Sequence, residues 1–248
     1  MAIIHDRGYV IPAFNTDHID YVACAERLAD SILRWHPGAK ISIFRNEDLP
    51  PNAVTGYATD WHVAKLSPYR QTIKLEADML VVSPIDHWWK MFEHRDVVIS
   101  TGCRDYYNQQ STSRFYRKVF DDNNLPDVYN AITYWRVSAL AQEFWQWVRI
   151  VFEQWDDFRK LLKFSNEENP TTDVVYAIVA QILGPEQVTM PWATYPKVVH
   201  MKQHIIGTQS SDWTKELVWE RTTRGLRINT IEQWGCFHYN VKDWNPND

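Results

Sequence analysis

The stretch that decides the fold is Arg70-Gln71-Thr72-Ile73-Lys74-Leu75-Glu76-Ala77-Asp78-Met79-Leu80-Val81-Val82. Its apolar residues predict a buried β-strand over 72–82, and two carboxylates, Glu76 and Asp78, interrupt it. Side chains two positions apart on a strand point to the same side, so we expect the two acids to lie together. Buried acids are costly unless something compensates them. A divalent cation would do so, because hard cations take carboxylate oxygens, and pairing with Arg70 and Lys74 is the alternative.

The composition is that of a soluble globular protein with one large domain or two small ones. The chain has 248 residues, of which 45% are hydrophobic and 23% charged. No apolar stretch reaches the roughly 20 residues that span a bilayer, and residues 1–7 lack a signal peptide's apolar segment. Three cysteines without metal-type spacing (Cys24, Cys103 and Cys236) lead us to expect a cytoplasmic protein. The net charge of -5 argues against gripping nucleic acid mainly through bulk electrostatics, although it leaves room for a local basic groove.

The chain before this stretch alternates between strand and helix. Residues 8–14 predict a first strand, and Asp17 or Thr16 can cap the helix that follows. Apolar residues then recur at helical spacing until Pro37 and Gly38, and residues 40–44 alternate as a second strand. This opening is a β-α-β unit, which predicts parallel strands joined by a right-handed crossover.

The chain after the stretch continues the alternation. A short helix is predicted through Trp88 and Trp89, followed by a strand at 96–100. Two helical stripes come later: Leu140, Phe144, Trp147, Val148, Val151 and Trp155, then Val174, Val175, Ile178, Val179 and Ile182. We therefore predict an α/β fold with a mostly parallel central sheet flanked by helices and a less regular C-terminal part.

Four segments of the chain carry a family resemblance. They are residues 9–15 with the following helix, 67–81, 129–134 and 238–244. In order and spacing they resemble the GT-A nucleotide-sugar glycosyltransferases, and among these most of all family eight, the glycogenin and galactosyltransferase group. The four are similar, in turn, to that family's nucleotide-binding strand, its DxD strand, its asparagine-containing strand before a long helix, and its C-terminal HxxGxxKPW signature.

This chain departs from the family pattern in two places. Glu76 stands where the family has the first Asp of DxD, and it reaches one methylene further. Lys242 follows His238 by four residues where the family has six, and Asp243 stands where proline is expected. His204 begins a second HxxG sequence and is therefore an alternative to His238 as the C-terminal ligand.

The resemblance implies a single GT-A domain over 1–248. Residues 1–100 would form the nucleotide-binding half, which contains the acid-x-acid motif, and residues 101–248 the acceptor half with the C-terminal metal and phosphate motif. The implied activity is metal-dependent transfer of a sugar from a nucleoside-diphosphate sugar, with a UDP-sugar favoured, to a hydroxyl acceptor. Family-eight enzymes retain the anomeric configuration and need no strong general base, whereas an inverting enzyme would need one.

The resemblance also assigns roles to individual residues. The metal ligands would be Glu76, Asp78 and His238, an oxygen and imidazole set that suits Mn²⁺ better than Ca²⁺, with Mg²⁺ possible. The candidate catalytic residues are Asp78, Asp173, Asn130 and Arg70. The candidate donor-binding residues are Val10, Ala13, Phe14, Asn15, Lys242 and Arg70. Alternatives are a plain N-cap for Asp173, a core or surface histidine for His238 and a solvated lysine for Lys242.

The candidate acceptor-binding segment is residues 104–118, in which aromatic and basic side chains are interleaved. Aromatic rings there could stack on a flipped or single-stranded base while Arg114, Arg117 and Lys118 contact phosphates. The alternative is an amphipathic loop and helix whose aromatics lie in the core. The whole chain also resembles glycosyltransferase-like proteins of tailed phages, which implies a hydroxymethylated pyrimidine in phage DNA as the acceptor, in the cytoplasm of the host cell. A glycan or protein acceptor, or a non-catalytic nucleotide-sugar-binding protein, are the other hypotheses.

Overall fold

A computed structural model describes residues 3–51, 53, 60–110, 117–163, 168–190, 198–202 and 206–245. Its helices are α1 (Tyr21–Trp35), α2 (Asp60–Leu66), α3 (His87–Phe92), α4 (Lys118–Asp122), α5 (Ala139–Glu153), α6 (Trp155–Phe158), α7 (Thr172–Leu183) and α8 (Pro185–Val188). Its strands are β1 (His5–Pro12), β2 (Ile41–Phe44), β3 (Tyr69–Leu75), β4 (Met79–Val81), β5 (Val97–Thr101), β6 (Cys103–Arg104), β7 (Val128–Arg136), β8 (Val198–Met201), β9 (Trp219–Thr222), β10 (Gly225–Ile228), β11 (Ile231–Glu232) and β12 (Cys236–Tyr239). Within these ranges no helix combines the length and the apolar character that crossing a bilayer requires.

The central sheet has the strand order β2-β1-β3-β7-β5. Strand β1 pairs in parallel with β2 and β3, while β7 runs antiparallel to both β3 and β5. Four of the five strands therefore run in one direction and β7 is reversed. The predicted β-α-β opening and the predicted mostly parallel sheet flanked by helices are both confirmed, and the reversal of β7 makes the sheet a mixed one.

The predicted single strand over 72–82 is wrong, because this stretch forms two strands in two sheets. Strand β3 ends at Leu75 in the central sheet, and β4 begins at Met79 in a second sheet with the order β4-β12-β8-β6. Glu76, Ala77 and Asp78 form the turn between them, which we call the acidic turn. The apolar run continues through both strands without a Gly or Pro to mark the break, so periodicity alone could not reveal it.

Helices cover both faces of the central sheet, as alternation along β5 shows. Val98 belongs to a core cluster with the apolar residues of α1 and α3, whereas Val97 and Ile99 belong to a second cluster with α5 and α7. Successive side chains on a strand point to opposite faces, so the two clusters lie on opposite sides of the sheet. The two predicted helical stripes of the C-terminal half therefore cover one face of the sheet, except that Ile182 of the second stripe is exposed.

The local signals that end and begin helices are only partly those predicted. The N-cap of α1 is Asp20, whose carboxylate accepts from the Ala23 amide at 3.0 Å, and not Asp17 or Thr16. Thr16 instead accepts from the Ile19 amide at 3.1 Å within the preceding turn. The predicted stop of the first helix at Pro37 and Gly38 is confirmed, because α1 ends at Trp35. Helix α7 ends before Gly184, whose φ is +95°.

A third sheet, with the order β11-β10-β9, packs against the end of β4 through a glycine. Gly225 has a φ of +131°, and a Cβ placed on it would overlap the carbonyl oxygen of Val82. Only glycine combines this backbone conformation with such a close approach. This contact joins the C-terminal sheets to the chain immediately after the acidic turn.

We expect Gly225→Ala to lower the free energy of unfolding by at least about 2 kcal/mol, because it adds backbone strain and a steric overlap. Urea denaturation would measure the loss. The matched control is Gly38→Ala, since a Cβ on Gly38 meets no atom within 4 Å. That variant should stay within about 0.5 kcal/mol of the parent protein. Equal stabilities for the two variants would contradict the packing described for Gly225.

Candidate metal and donor site

The acidic turn lies at the carboxyl end of β3 and is fixed by backbone hydrogen bonds on both sides. The Glu76 amide donates to the Ala131 carbonyl at 3.2 Å, and the Tyr239 amide donates to the Asp78 carbonyl at 3.1 Å. The first bond ties the turn to β7 and the second ties it to β12. The two carboxylates are therefore held between the central sheet and the second sheet.

Strand β12 brings a histidine to these acids. His238 pairs in register with Met79 of β4, and its Nε2 lies 3.1 Å from Asp78 Oδ1 and 3.5 Å from Glu76 Oε2. Ligand atoms of the three residues all lie within 4.8 Å of one another, a group able to hold a metal ion. The structure thus brings together the three residues predicted as metal ligands, while occupancy by a metal stays a prediction. His204 lies outside the described residues.

Lys242 closes the same cluster. Its Nζ forms an ion pair with the second oxygen of Asp78 and donates to the Tyr239 carbonyl at 3.2 Å. Arg27 of α1 in turn donates to the Lys242 carbonyl at 2.8 Å, so the turn that carries Lys242 is anchored to α1. Although Lys242 follows His238 by only four residues, its ammonium still reaches the acidic turn.

In this cluster, burial and the nearby charges shift the pKa values of the side chains in opposite directions. Burial alone would raise the pKa of Asp78, but His238 and Lys242 lower it below its ordinary value. Burial raises the pKa of Glu76, and His238 offsets this in part. Burial alone would lower the pKa of His238, yet Asp78 and then Glu76 raise it above 6.5. His238 and Lys242 supply the positive charge that the Asp78 carboxylate requires, and a cation bound by the two carboxylates and the neutral imidazole would supply it instead.

Asn130 and Asp173 lie beside the acidic turn in different roles. The Asn130 side chain donates to Glu76 Oε1 at 2.9 Å and borders the cleft. Asp173 accepts from the Asn130 backbone amide at 2.7 Å and pairs with Arg117 at 3.1 Å. The N-cap of α7 is Thr171, so the plain N-cap alternative for Asp173 is wrong. Asp173 fixes the backbone of β7 at Asn130.

Two buried residues of the site, Lys74 and His200, make contacts that the sequence did not predict. Lys74 is buried in β3 under the acidic turn, where its ammonium donates to Asn130 Oδ1 at 2.6 Å. His200 of β8 is 2% exposed and stacks on His238, with ring centroids 4.4 Å apart and planes 8° apart. Burial lowers the pKa of His200 well below 6.5, so this ring is neutral. No signal in the sequence marks His200, and Lys74, predicted as an alternative partner of the two acids, pairs with Asp60 instead.

A cleft of about 450 Å³ opens above these residues. Phe14 and Tyr21 give it aromatic walls at the end of β1 and the start of α1, and Lys202 and Lys242 give it cationic ones. Asp78, Glu76, His200 and His238 also line it. The site therefore lies beyond the carboxyl ends of β1 and β3, where α/β sheets bind ligands.

Several predicted donor-binding residues do not line this cleft. Val10 is fully buried in a cluster with Phe44 and Val63, and Ala13 is fully buried in the core of the sheet. Asn15 is exposed, but its side chain accepts from the Val22 amide at 2.9 Å and so belongs to the turn before α1. Of the four residues predicted to receive the base and ribose, the structure places Phe14 at the cleft.

Arg70 is likewise not brought to the site. Arg70 lies near the start of β3, six residues before Glu76. Six residues of extended strand correspond to a distance of about 20 Å. The Arg70 Nε donates to Asp6 at 2.8 Å at the opposite end of the sheet. Arg70 therefore contacts neither the acidic turn nor the cleft, and the structure does not bring it together with the other candidate catalytic and donor-binding residues.

The aromatic and basic segment 104–118 is described in part, since residues 111–116 with Arg114 lie outside the described ranges. Arg117 is 2% exposed, pairs with Asp127 at 2.7 Å and stacks on the ring of Tyr129. Lys118 pairs with Asp122 on α4. In the described part of the segment, Arg117 therefore has a structural role and does not face a nucleic-acid backbone.

Comparison with known proteins identifies the fold. The sequence matches no protein-family model and no curated protein. Its structure resembles the galactosyltransferase LgtC, solved with donor and acceptor sugar analogues, with a TM-score of 0.52 and 11% identity over 94% of this chain and 86% of that one. Mouse xyloside xylosyltransferase 1 in its apo form gives a TM-score of 0.51 and 12% identity over 98% of this chain and 100% of that one.

A third similar structure is the apo glycosyltransferase GlyE of Streptococcus pneumoniae, with a TM-score of 0.53 and 11% identity. The match covers 97% of this chain and 56% of GlyE. At such low identities the likeness establishes the fold, which is of the GT-A type with a mixed central sheet flanked by helices. The predicted fold class is therefore confirmed.

We expect Asp78→Asn to lower the pKa of His238, because Asp78 is the charge that chiefly raises it. In the metal-free protein the ring should titrate at a lower pH than in the parent protein. Imidazole proton shifts followed by NMR between pH 5 and 9 would measure this. His36, which pairs with Asp86 at 2.6 Å, is the internal control and should titrate identically in both proteins. An unchanged His238 titration would refute the pairing.

Proposed function

We propose that this protein is a metal-dependent glycosyltransferase that uses a nucleoside-diphosphate sugar, with UDP-sugar favoured. The observation that carries the proposal is the convergence of Glu76, Asp78 and His238 in a cleft beyond the carboxyl ends of β1 and β3. A GT-A fold with such a group beside basic residues suits the binding of a metal diphosphate. The likeness of the four segments to family eight supports the same conclusion.

The metal would be held by the two carboxylates and the imidazole, with Mn²⁺ favoured and Mg²⁺ possible. A bound divalent cation supplies neutralisation of the charge that develops on the leaving diphosphate. Lys242, which pairs with Asp78, is the side chain placed to exchange this carboxylate for a phosphate oxygen when the site is loaded. Lys202 adds a second cationic side chain to the cleft.

The organic parts of the donor would meet the remaining walls of the cleft. Phe14 and Tyr21 offer aromatic surface for the base, and Thr16 offers a hydroxyl. Asn130 is placed to contact the sugar, while Asp173 acts through the backbone of Asn130. The resemblance to family eight supports transfer with retention of the anomeric configuration.

We expect Asp78→Ala to abolish metal-dependent release of nucleoside diphosphate, a loss of at least about 100-fold, because it removes the most buried ligand. The assay is incubation of the protein with Mn²⁺ and a panel of nucleotide sugars. Asp86→Ala, an exposed acid that pairs with His36 away from the cleft, is the control and should retain parental turnover. Near-normal turnover of Asp78→Ala would overturn the ligand assignment.

The same assay distinguishes a glycosyltransferase from the alternative, a non-catalytic nucleotide-sugar-binding protein. Two features favour that alternative, namely Glu76 at the first position of DxD and the shortened spacing between His238 and Lys242. Metal-dependent binding of a nucleotide sugar without any release of nucleoside diphosphate would establish a binding protein. Neither binding nor release with any donor would overturn the proposed function altogether.

For the acceptor we propose a hydroxymethylated pyrimidine in phage DNA. The resemblance to tailed-phage proteins supports it, whereas the net charge of -5 and the buried, paired Arg117 count against it. A glycan or a protein is the alternative acceptor. The two classes differ in whether the hydroxyl that accepts the sugar belongs to a base.

We expect the protein, given Mn²⁺ and its donor, to add a hexose or pentose to hydroxymethylcytosine in DNA. Mass spectrometry of the digested DNA would detect the added mass. DNA with unmodified cytosine is the control and should gain nothing. Unmodified hydroxymethylcytosine together with sugar transfer to a glycan or protein hydroxyl would remove the DNA proposal and leave the glycosyltransferase proposal intact.

A further inference from the structure

A buried lysine lies under the acidic turn, and none of the roles above uses it. Lys74, the residue before the end of β3, is 1% exposed. Its ammonium donates to Asn130 Oδ1 at 2.6 Å, pairs with Asp60 of α2 and lies 3.4 Å from the hydroxyl of Tyr176. Lys74 borders the cleft, but its ammonium is engaged by these three partners, so it acts on the acidic turn through them.

The lysine dictates how the amide of Asn130 is oriented. An ammonium group can only donate hydrogen bonds, so the amide must present its oxygen to Lys74. The NH₂ group of the same amide then points to Glu76, and Asn130 Nδ2 lies 2.9 Å from Glu76 Oε1. A flipped amide would place N–H against the ammonium and oxygen against the carboxylate, which are both repulsive arrangements.

The amide in turn selects which oxygen Glu76 offers to the cluster. Glu76 Oε1 accepts from Asn130, and the other oxygen, Oε2, faces His238 at 3.5 Å. We propose that Lys74 is a positioning residue of the metal centre. It holds the side-chain amide of Asn130 so that Glu76 presents Oε2 to a bound cation. The metal part of this proposal rests on the proposed function, whereas the orientation of the amide does not.

Three elements hold the ammonium in place. Asp60 at the start of α2 supplies the opposite charge, and Tyr176 of α7 donates to the same carboxylate at 3.1 Å. Burial raises the pKa of Tyr176 well above 10, so its hydroxyl stays a donor. Independently, the Asp173 carboxylate accepts a hydrogen bond from the backbone N–H of Asn130 at 2.7 Å and so fixes the backbone there. The side-chain amide of Asn130 is therefore oriented both by its own hydrogen bonds and by the hydrogen bond that fixes the Asn130 backbone.

A double-mutant cycle tests whether Lys74 acts through Asn130. We expect Lys74→Met to weaken Mn²⁺ binding at least about tenfold, the usual effect of losing a group that orients a ligand. Asn130→Ala should weaken it similarly, and the double variant should bind no more weakly than Asn130→Ala alone. Calorimetric titration with MnCl₂ alone gives all four affinities. Parental affinity in Lys74→Met, or additive losses in the double variant, would overturn the proposal.

A measurement without metal separates this proposal from the proposed function. The side-chain amide protons of Asn130, assigned in ¹⁵N NMR spectra by their loss in Asn130→Asp, should exchange slowly with water. Lys74→Met should speed this exchange at least about tenfold, because the amide loses its fixed partner. Unchanged exchange would overturn the positioning role, even if Mn²⁺ bound normally. Absence of Mn²⁺ binding by the parent protein would instead overturn the proposed function.

Two further variants control for stability. Val148→Ala removes packing in the fully buried core beneath α5 and should destabilise the protein while leaving Mn²⁺ affinity unchanged. Asn130→Asp keeps an oxygen for Lys74 but cannot donate to Glu76, so it serves if Lys74→Met fails to fold. Asn130→Asp should weaken Mn²⁺ binding at least about tenfold. Parental affinity in Asn130→Asp would contradict the role of the amide.

Discussion

Negative charge held between two sheets is the constraint around which this structure is organised. Glu76 and Asp78 lie where the chain leaves the central sheet and enters the second one, and neither acid is freely solvated. Charges in such a position need partners. His238 and Lys242 neutralise Asp78 directly, and Lys74 reaches Glu76 through the Asn130 amide. The second sheet brings the first two partners, and the central sheet brings the others.

The helices serve the same arrangement. Helix α1 anchors the turn of Lys242 through Arg27, α2 supplies Asp60 to Lys74, and α7 supplies Tyr176 and Asp173. Each polar group near the acidic turn is thus attached to an element that contributes residues to an apolar core. Packing of the cores therefore holds the charged groups in place before any ligand arrives. Such preorganisation is what a site that stabilises developing charge requires.

The architecture could be predicted from the sequence because apolar periodicity and the β-α-β order are local signals. The neighbourhood of Asp78, His238 and Lys242 was accessible only through family resemblance, since strand pairing between distant segments leaves no local trace. The contacts of Lys74 and His200 leave no local trace either, because each lies among apolar neighbours in a strand. Arg70 is close to Glu76 in the sequence, but an extended strand separates the two in space.

The pairing of β12 with β4 has a consequence for how the protein is made. Lys242 and Asp78 are separated by 164 positions in the sequence, yet they form an ion pair. On the ribosome, the β-α-β opening can pair soon after it emerges, whereas β4 must wait for β12, which lies far along the chain. Contacts between such distant segments form slowly because a long loop must close. The two acids of the nascent chain therefore meet His238, and Asp78 meets Lys242, only after β12 and the turn that follows it have been made.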